Sequence, residues 1–129
     1  MSQSERIVGG RKVITRGELF DRIKRELGIG HLLIVGPTDG TITRAAVCAG
    51  SCGNLMDDAI KAKAELYLTG EIRHHDAVRA AAAGLTVVCT LHSNSERPVL
   101  KRLAKRLAET PGMPGIVVTS ADRDPILIR

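Results

Sequence analysis

His92 and Glu96 are an imidazole and a carboxylate four residues apart, a pair that can meet one divalent metal ion. They lie in GLTVVCTLHSNSE, residues 84–96, where the apolar run 85–89 predicts a buried strand and the polar residues after it lead into a helix. The C-terminal edge of such a strand is where alternating α/β folds collect ligands and reacting groups. Pro98 bears on where that helix starts. An N-cap at Ser93 would complete an S-x-x-E capping box with Glu96 but put Pro98 at the fifth helical position, where its missing N–H removes a bond. An N-cap at Ser95 puts Pro98 third, where no partner is needed, and leaves the Glu96 side chain free for a cation. Spacing by itself leaves two readings open, a ligand pair or a solvated glutamate beside a core-edge histidine.

Two further stretches carry candidate chemistry. AGSCGN, residues 49–54, is a small-residue loop between a strand and a helix, and Gly50, Ser51 and Gly53 could present backbone N–H groups to a phosphate or a substrate oxygen. A tight turn that needs small residues is the competing reading. GEIRHHDA, residues 70–77, places His74, His75 and Asp76 after another strand, with Asp76 suited to cap the next helix and the histidines directed to the edge that holds His92. Cys48 and Cys52, with no second pair at metal-finger spacing, read as buried or loop thiols.

The elements that must position these groups follow in order. Residues 1–14 read as a flexible lead broken at Gly9-Gly10, and residues 15–129 as a single domain. Thr15 and Glu18 form a T-x-x-E capping box opening a helix to Leu27, with Leu19, Phe20, Ile23 and Leu27 on one face and Gly28 and Gly30 as its stop. Strands are predicted at 31–35 and 44–48, joined through an Asp39-Gly40 turn suited to a hairpin, then at 65–69, 85–89 and 116–119. Helices are predicted at 55–64, at 77–83 with Gly84 as its stop, and after Ser95. This order gives an α/β layered domain with helices against a mixed, mostly parallel sheet.

Composition narrows the function classes. The chain has 129 residues, enough for one core, and that core must be aliphatic because Phe20 and Tyr67 are its only aromatic residues. No apolar run approaches membrane-spanning length and the N-terminus is not signal-like, so a soluble cytoplasmic protein is expected, its odd number of cysteines held as thiols. The net charge of +5 favours anionic small-molecule partners. Lys101, Arg102, Lys105 and Arg106 alternate with Val99, Leu100, Leu103, Ala104 and Leu107 as on a solvated surface helix. Without aromatic interleaving or a recognition motif, nucleic-acid binding rests on charge alone.

AVCAGSCGNLMDDAI, AELYLTGEIRHHDAV, GLTVVCTLHSNSE and the closing ADRDP, taken together, resemble the NIF-three-like dinuclear metal centre proteins, many of them labelled GTP cyclohydrolase I type 2. The likeness runs from about Thr15 to Pro125. It implies an α/β fold enclosing a pair of divalent ions, commonly as a toroidal hexamer, of which this chain resembles the C-terminal half. It implies metal-ligand roles for His92 and Glu96, and roles beside the metal or substrate for His75 and Asp76, while His74 stands where the family often has an aromatic residue. Family members are about twice as long, and their N-terminal half completes the metal site. Cys52 stands where they tend to have glycine, and Thr90 to His92 replace a more usual small-residue approach to the histidine.

Two functions are therefore expected to compete. One is a metal-dependent hydrolase acting on a nucleotide or another phosphorylated small molecule, with zinc, iron, manganese or magnesium on His92 and Glu96, His75 moving protons, and Gly50, Ser51, Gly53, His74 and Asp76 near the substrate. The other is a non-catalytic module that oligomerises, or pairs with a separate N-terminal half, because two ligands fall short of the three that a catalytic zinc site normally takes.

Overall fold

The computed structural model describes residues 6–8 and 11–129, with side chains from residue 12 onward. Alternating apolar stretches form β5 (Ala45–Ser51), β6 (Leu66–Glu71) and β7 (Thr86–Cys89), which run parallel. β3 (Leu33–Val35) joins antiparallel to β7, giving the order β3-β7-β6-β5, the expected mixed and mostly parallel sheet. A second, antiparallel sheet contains β1 (Arg6–Val8), β2 (Arg11–Thr15) and β4 (Thr41–Ile42) in the order β1-β2-β4.

The period-two alternation of the central strands sorts the core into two layers. Tyr67, Val87 and Cys89 point to one face and pack with Met56 and Ala59 of α2 (Met56–Lys61) and Ala80 of α3 (His74–Ala82). Leu66 and Val88 point to the other, where they meet Ile42 and Ile23, the latter from α1 (Arg16–Leu27). Val87 and Val88 are fully buried on opposite faces, and each contributes about 1.5–3 kcal/mol of burial. Helix α4 (His92–Ala108) packs against β5 and β6, while Val99, Leu100 and Leu103 of its expected apolar stripe stay exposed.

Local signals hold where they are self-contained. Thr15 Oγ1 accepts the Glu18 N–H at 3.1 Å and Glu18 Oε2 accepts the Thr15 N–H at 3.1 Å, and α1 then ends on Gly28 at φ +65°. Gly84, at φ +70°, follows α3 in the same way.

Several expectations are corrected. Residues 1–5 and 9–10 of the expected lead lie outside the described residues, but 6–8 and 11–14 are strand, because Val13 finds a buried position in the second sheet. The Asp39-Gly40 turn makes no hairpin: β3 pairs with β7 and β4 with β2. The buried Arg16 holds that turn instead, donating to Asp39 O at 2.8 Å and Thr86 Oγ1 at 2.7 Å. Residues 116–119 form no strand: a β-branched run is stabilised by packing on a sheet, and this one joins neither sheet and leaves Val117 89% exposed. Cys48 and Cys52, expected as thiols, are joined in a disulfide: a register shift between Cys48 and Ser51 brings their Cα atoms to 6.1 Å, within bridging range. A further correction is the start of α4, which decides the site geometry.

Candidate functional site

α4 begins at His92, not after Ser95. The Ser95 N–H donates to Leu91 O at 3.2 Å, and Asn94 Nδ2 donates to Thr90 O at 2.8 Å, so the first turn closes four residues early. Pro98 is thereby left inside the helix, against the preference that predicted a later start. Leu91 carries the junction at φ +73° and ψ 154°, a conformation close to glycine-only territory. The gain is geometric: His92 and Glu96 become one helical turn apart on the same face.

Packing against two glycines explains why tertiary structure wins. A Cβ on Gly70 would stand 2.9 Å from His92 Cα, 2.7 Å from Ser95 Oγ and 2.6 Å from Gly50 O, so only glycine lets the first turn of α4 settle onto the end of β6. Ser95 Oγ accepts the Gly50 N–H at 2.8 Å and donates to His92 O at 2.6 Å, pinning that turn to β5.

His92 Nε2 and Glu96 Oε1 lie 3.4 Å apart, both half-exposed. They face Gly50, which is at φ +80° and whose missing Cβ would sit 3.0 Å from Glu96 Oε1 and 3.5 Å from His92 Nε2. On the opposite side of the ring, His92 Nδ1 lies 2.7 Å from Glu71 Oε1. This hydrogen bond, with the negative charges of Glu96 and Glu71, raises the His92 pKa above its ordinary value against a smaller opposing effect of desolvation.

The remaining sequence candidates are placed elsewhere around this edge. Ser51 pairs with Glu71 in the sheet register. Asp76 is not the N-cap of α3; that place falls to Arg73, and Asp76 takes the third helical position, where a carboxylate still meets the positive end of the helix dipole. It is 4% exposed, with Oδ1 accepting from Arg79 at 3.2 Å and Oδ2 turned to Gly53, whose Cβ would stand 2.5 Å away. His74 and His75 are exposed on the first turn of α3, with His75 Nε2 3.7 Å from Asp76 Oδ1. Among the described residues, no hydrogen bond or ion pair links His74 or His75 to the His92–Glu96 pair. The closing ADRDP segment straps the other side of α4: Asp122 pairs with Arg97, and Asp124 accepts from Ser93 at 2.6 Å.

The donor set suits a divalent ion. An imidazole nitrogen and a carboxylate oxygen are ligands such ions take, and the missing Gly50 side chain leaves room in front of them. The described residues contain no group of three or more His, Cys, Asp or Glu side chains arranged to hold a metal, so the pair is at most part of a ligand set.

The Duf34/NIF3 (NGG1p interacting factor 3) sequence profile matches residues 2–125. The chain belongs to the Duf34/NIF3 family. NIF3-like protein 1 of Rattus norvegicus is 36% identical over 120 residues, covering 89% of this chain and 31% of the rat protein. The GTP cyclohydrolase 1 type 2 homolog of Clostridium perfringens is 32% identical over 104 residues, covering 81% of this chain and 40% of its own length. Staphylococcus aureus protein SA1388 shares the fold, with a TM-score of 0.80 at 24% identity over 91% of this chain and 34% of that one. This NIF3-family chain thus spans less than half the length of these relatives.

Sequence reasoning passed over Glu71 and Gly70 and gave Ser95 only the role of a helix cap. A strand closed at Thr69 left Glu71 in a loop with no role. The usable signal was an acidic residue at the end of a buried strand, at the edge where α/β folds bind ligands.

Proposed function

We propose that this NIF3-family chain supplies His92 and Glu96 to a divalent-metal site that serves hydrolysis of a nucleotide or another phosphorylated small molecule. The observation that carries the reading is the convergence of His92 Nε2 and Glu96 Oε1, 3.4 Å apart, over a residue with no side chain. When bound, a divalent ion supplies Lewis acidity toward a phosphoryl or carbonyl oxygen and toward water. The chain's own residues hold that ion and shape its surroundings: the 50–53 segment borders the substrate side, and the exposed His75 carries protons at the strand edge. The name of the clostridial relative, a GTP cyclohydrolase 1 type 2 homolog, supports a nucleotide as the first substrate to try.

The two-ligand count favours a second reading. In it the chain is an assembly module whose metal site is completed by another polypeptide segment or by further copies of itself, as in the hexamer the family resemblance implies.

Elemental mass spectrometry on untagged protein, with the solution mass measured alongside, tests both. Near-stoichiometric zinc, iron, manganese or magnesium that disappears in the His92→Ala/Glu96→Ala double variant is expected. Metal retained by that variant removes the ligand assignment. Metal present only in an oligomer, with no turnover of nucleotides, selects the assembly reading.

A further inference from the structure

The strongest unassigned contact at this edge is between Glu71 and His92. Glu71 is the last residue of β6, and His92 is the first residue of α4, so 21 positions in sequence separate two side chains whose atoms lie 2.7 Å apart. Both backbones are anchored at this point. Glu71 is held in the ladder opposite Ser51, and His92 is held at its backbone against Gly70, with its carbonyl accepting from Ser95 Oγ.

An ionised carboxylate can only accept a hydrogen bond, so the contact requires a proton on His92 Nδ1. In a neutral imidazole that leaves the lone pair on Nε2, the nitrogen that faces Glu96 and Gly50. Resting on the metal reading above, we propose that Glu71 is a positioning residue: it fixes the tautomer and plane of the His92 ring so that Nε2 is presented beside Glu96 as the ligating atom. Glu71 does not itself join the ligand set. Its Oε1 lies on the far side of the ring from Nε2, 2.7 Å from Nδ1. A carboxylate behind a ligating histidine raises the basicity of that ligand, and losing one typically weakens metal affinity about 10–100-fold.

The test separates orientation from metal binding. Long-range proton–nitrogen NMR of the imidazoles in metal-free, 15N-labelled protein reads the His92 tautomer directly, at a pH where the ring is neutral. Calorimetric titration with Zn²⁺ alone reads affinity. Wild type is expected to show the Nδ1–H form. Glu71→Ala is expected to shift His92 toward Nε2–H and weaken Zn²⁺ binding about 10–100-fold. Glu71→Gln, whose amide oxygen still accepts, is expected to keep the Nδ1–H form and most of the affinity.

An Nε2–H ring in wild type overturns the proposal, as does a Glu71→Ala protein with unchanged tautomer and affinity. Complete loss of Zn²⁺ binding in Glu71→Ala with the tautomer retained would make Glu71 a direct ligand, which also overturns it. If wild type binds no Zn²⁺ but loses the Nδ1–H form in Glu71→Ala, the metal reading falls and the orientation by Glu71 stands.

Discussion

Gly50 and Glu96 face each other across the end of β5, so closely that a methyl group on Gly50 would stand 3.0 Å from Glu96 Oε1. Gly50→Ala therefore meets two penalties, the left-handed backbone at φ +80° and the lost space in front of the His92–Glu96 pair. The backbone part costs about 1–2 kcal/mol. Gly28→Ala is the control, because it shares a positive φ of +65° but has nothing within 4 Å of the added carbon. Both variants are expected to lower the urea midpoint by similar amounts, and only Gly50→Ala is expected to weaken Zn²⁺ binding in a calorimetric titration. Equal Zn²⁺ affinity in the two would show that the space over Gly50 is not where the ion sits.

Leu91 holds φ +73° and ψ 154° immediately before His92, in a region that costs a residue with a side chain about 1–3 kcal/mol. Its side chain is only half-buried, so truncation gives up little burial. Leu91→Gly is expected to raise stability by about 1 kcal/mol in urea unfolding, after the greater chain entropy of glycine is set against the relieved strain. A lower midpoint would mean that packing of the leucine outweighs the strain.

Glu65 ties the start of β5 to the start of β6. Its Oε2 accepts from the Thr43 N–H at 2.7 Å, from Thr43 Oγ1 at 3.1 Å and from the Arg44 N–H at 3.1 Å. The Thr43 backbone bond leads in lowering its pKa below the ordinary 4.5, with the Arg44 and Thr43 side-chain bonds acting the same way against desolvation. A lowered folded pKa means that stabilisation is fully present above the ordinary value. It is lost as pH falls through that value toward the lowered one. Glu65→Gln is expected to be less stable than wild type at neutral pH, with the gap closing below pH 4.5. Parallel stability curves in urea across that range would rule out Glu65 as a source of the acid sensitivity.

Burial beside the aliphatic core pushes the Cys89 thiol up to about 11, the largest influence being desolvation. The thiolate is the reactive form, so Cys89 is expected to resist a chromogenic disulfide reagent in folded protein at neutral pH and to react promptly once denatured. Rapid labelling of the folded chain would show that β7 opens to solvent far more often than its full burial implies.

Residues read one after another determined the local structure of this protein. The Thr15–Glu18 box, the stops at Gly28 and Gly84, and the buried strands around 66–69 and 86–89 depend on neighbours within a turn or on period-two alternation. Those signals, with their order, were enough for the α/β class, and the blocks that carry them were enough for the family. Apart from the Cys48–Cys52 disulfide and the cap of α3, the departures involve partners distant in sequence. The strand predicted at 44–48 paired with β6, not with β3, and residues 116–119 joined neither sheet. At His92, Pro98 and the serine caps argued for a later start. The close fit of His92 and Ser95 against Gly70 and Gly50 overrode them, and the strain was left at Leu91. Spacing could bring His92 and Glu96 to one helical face. Only the parallel pairing of β6 with β5 and β7 could carry Glu71 to the other side of that ring, because hydrogen-bond partners across a sheet edge are chosen by register, which no local run of residues encodes.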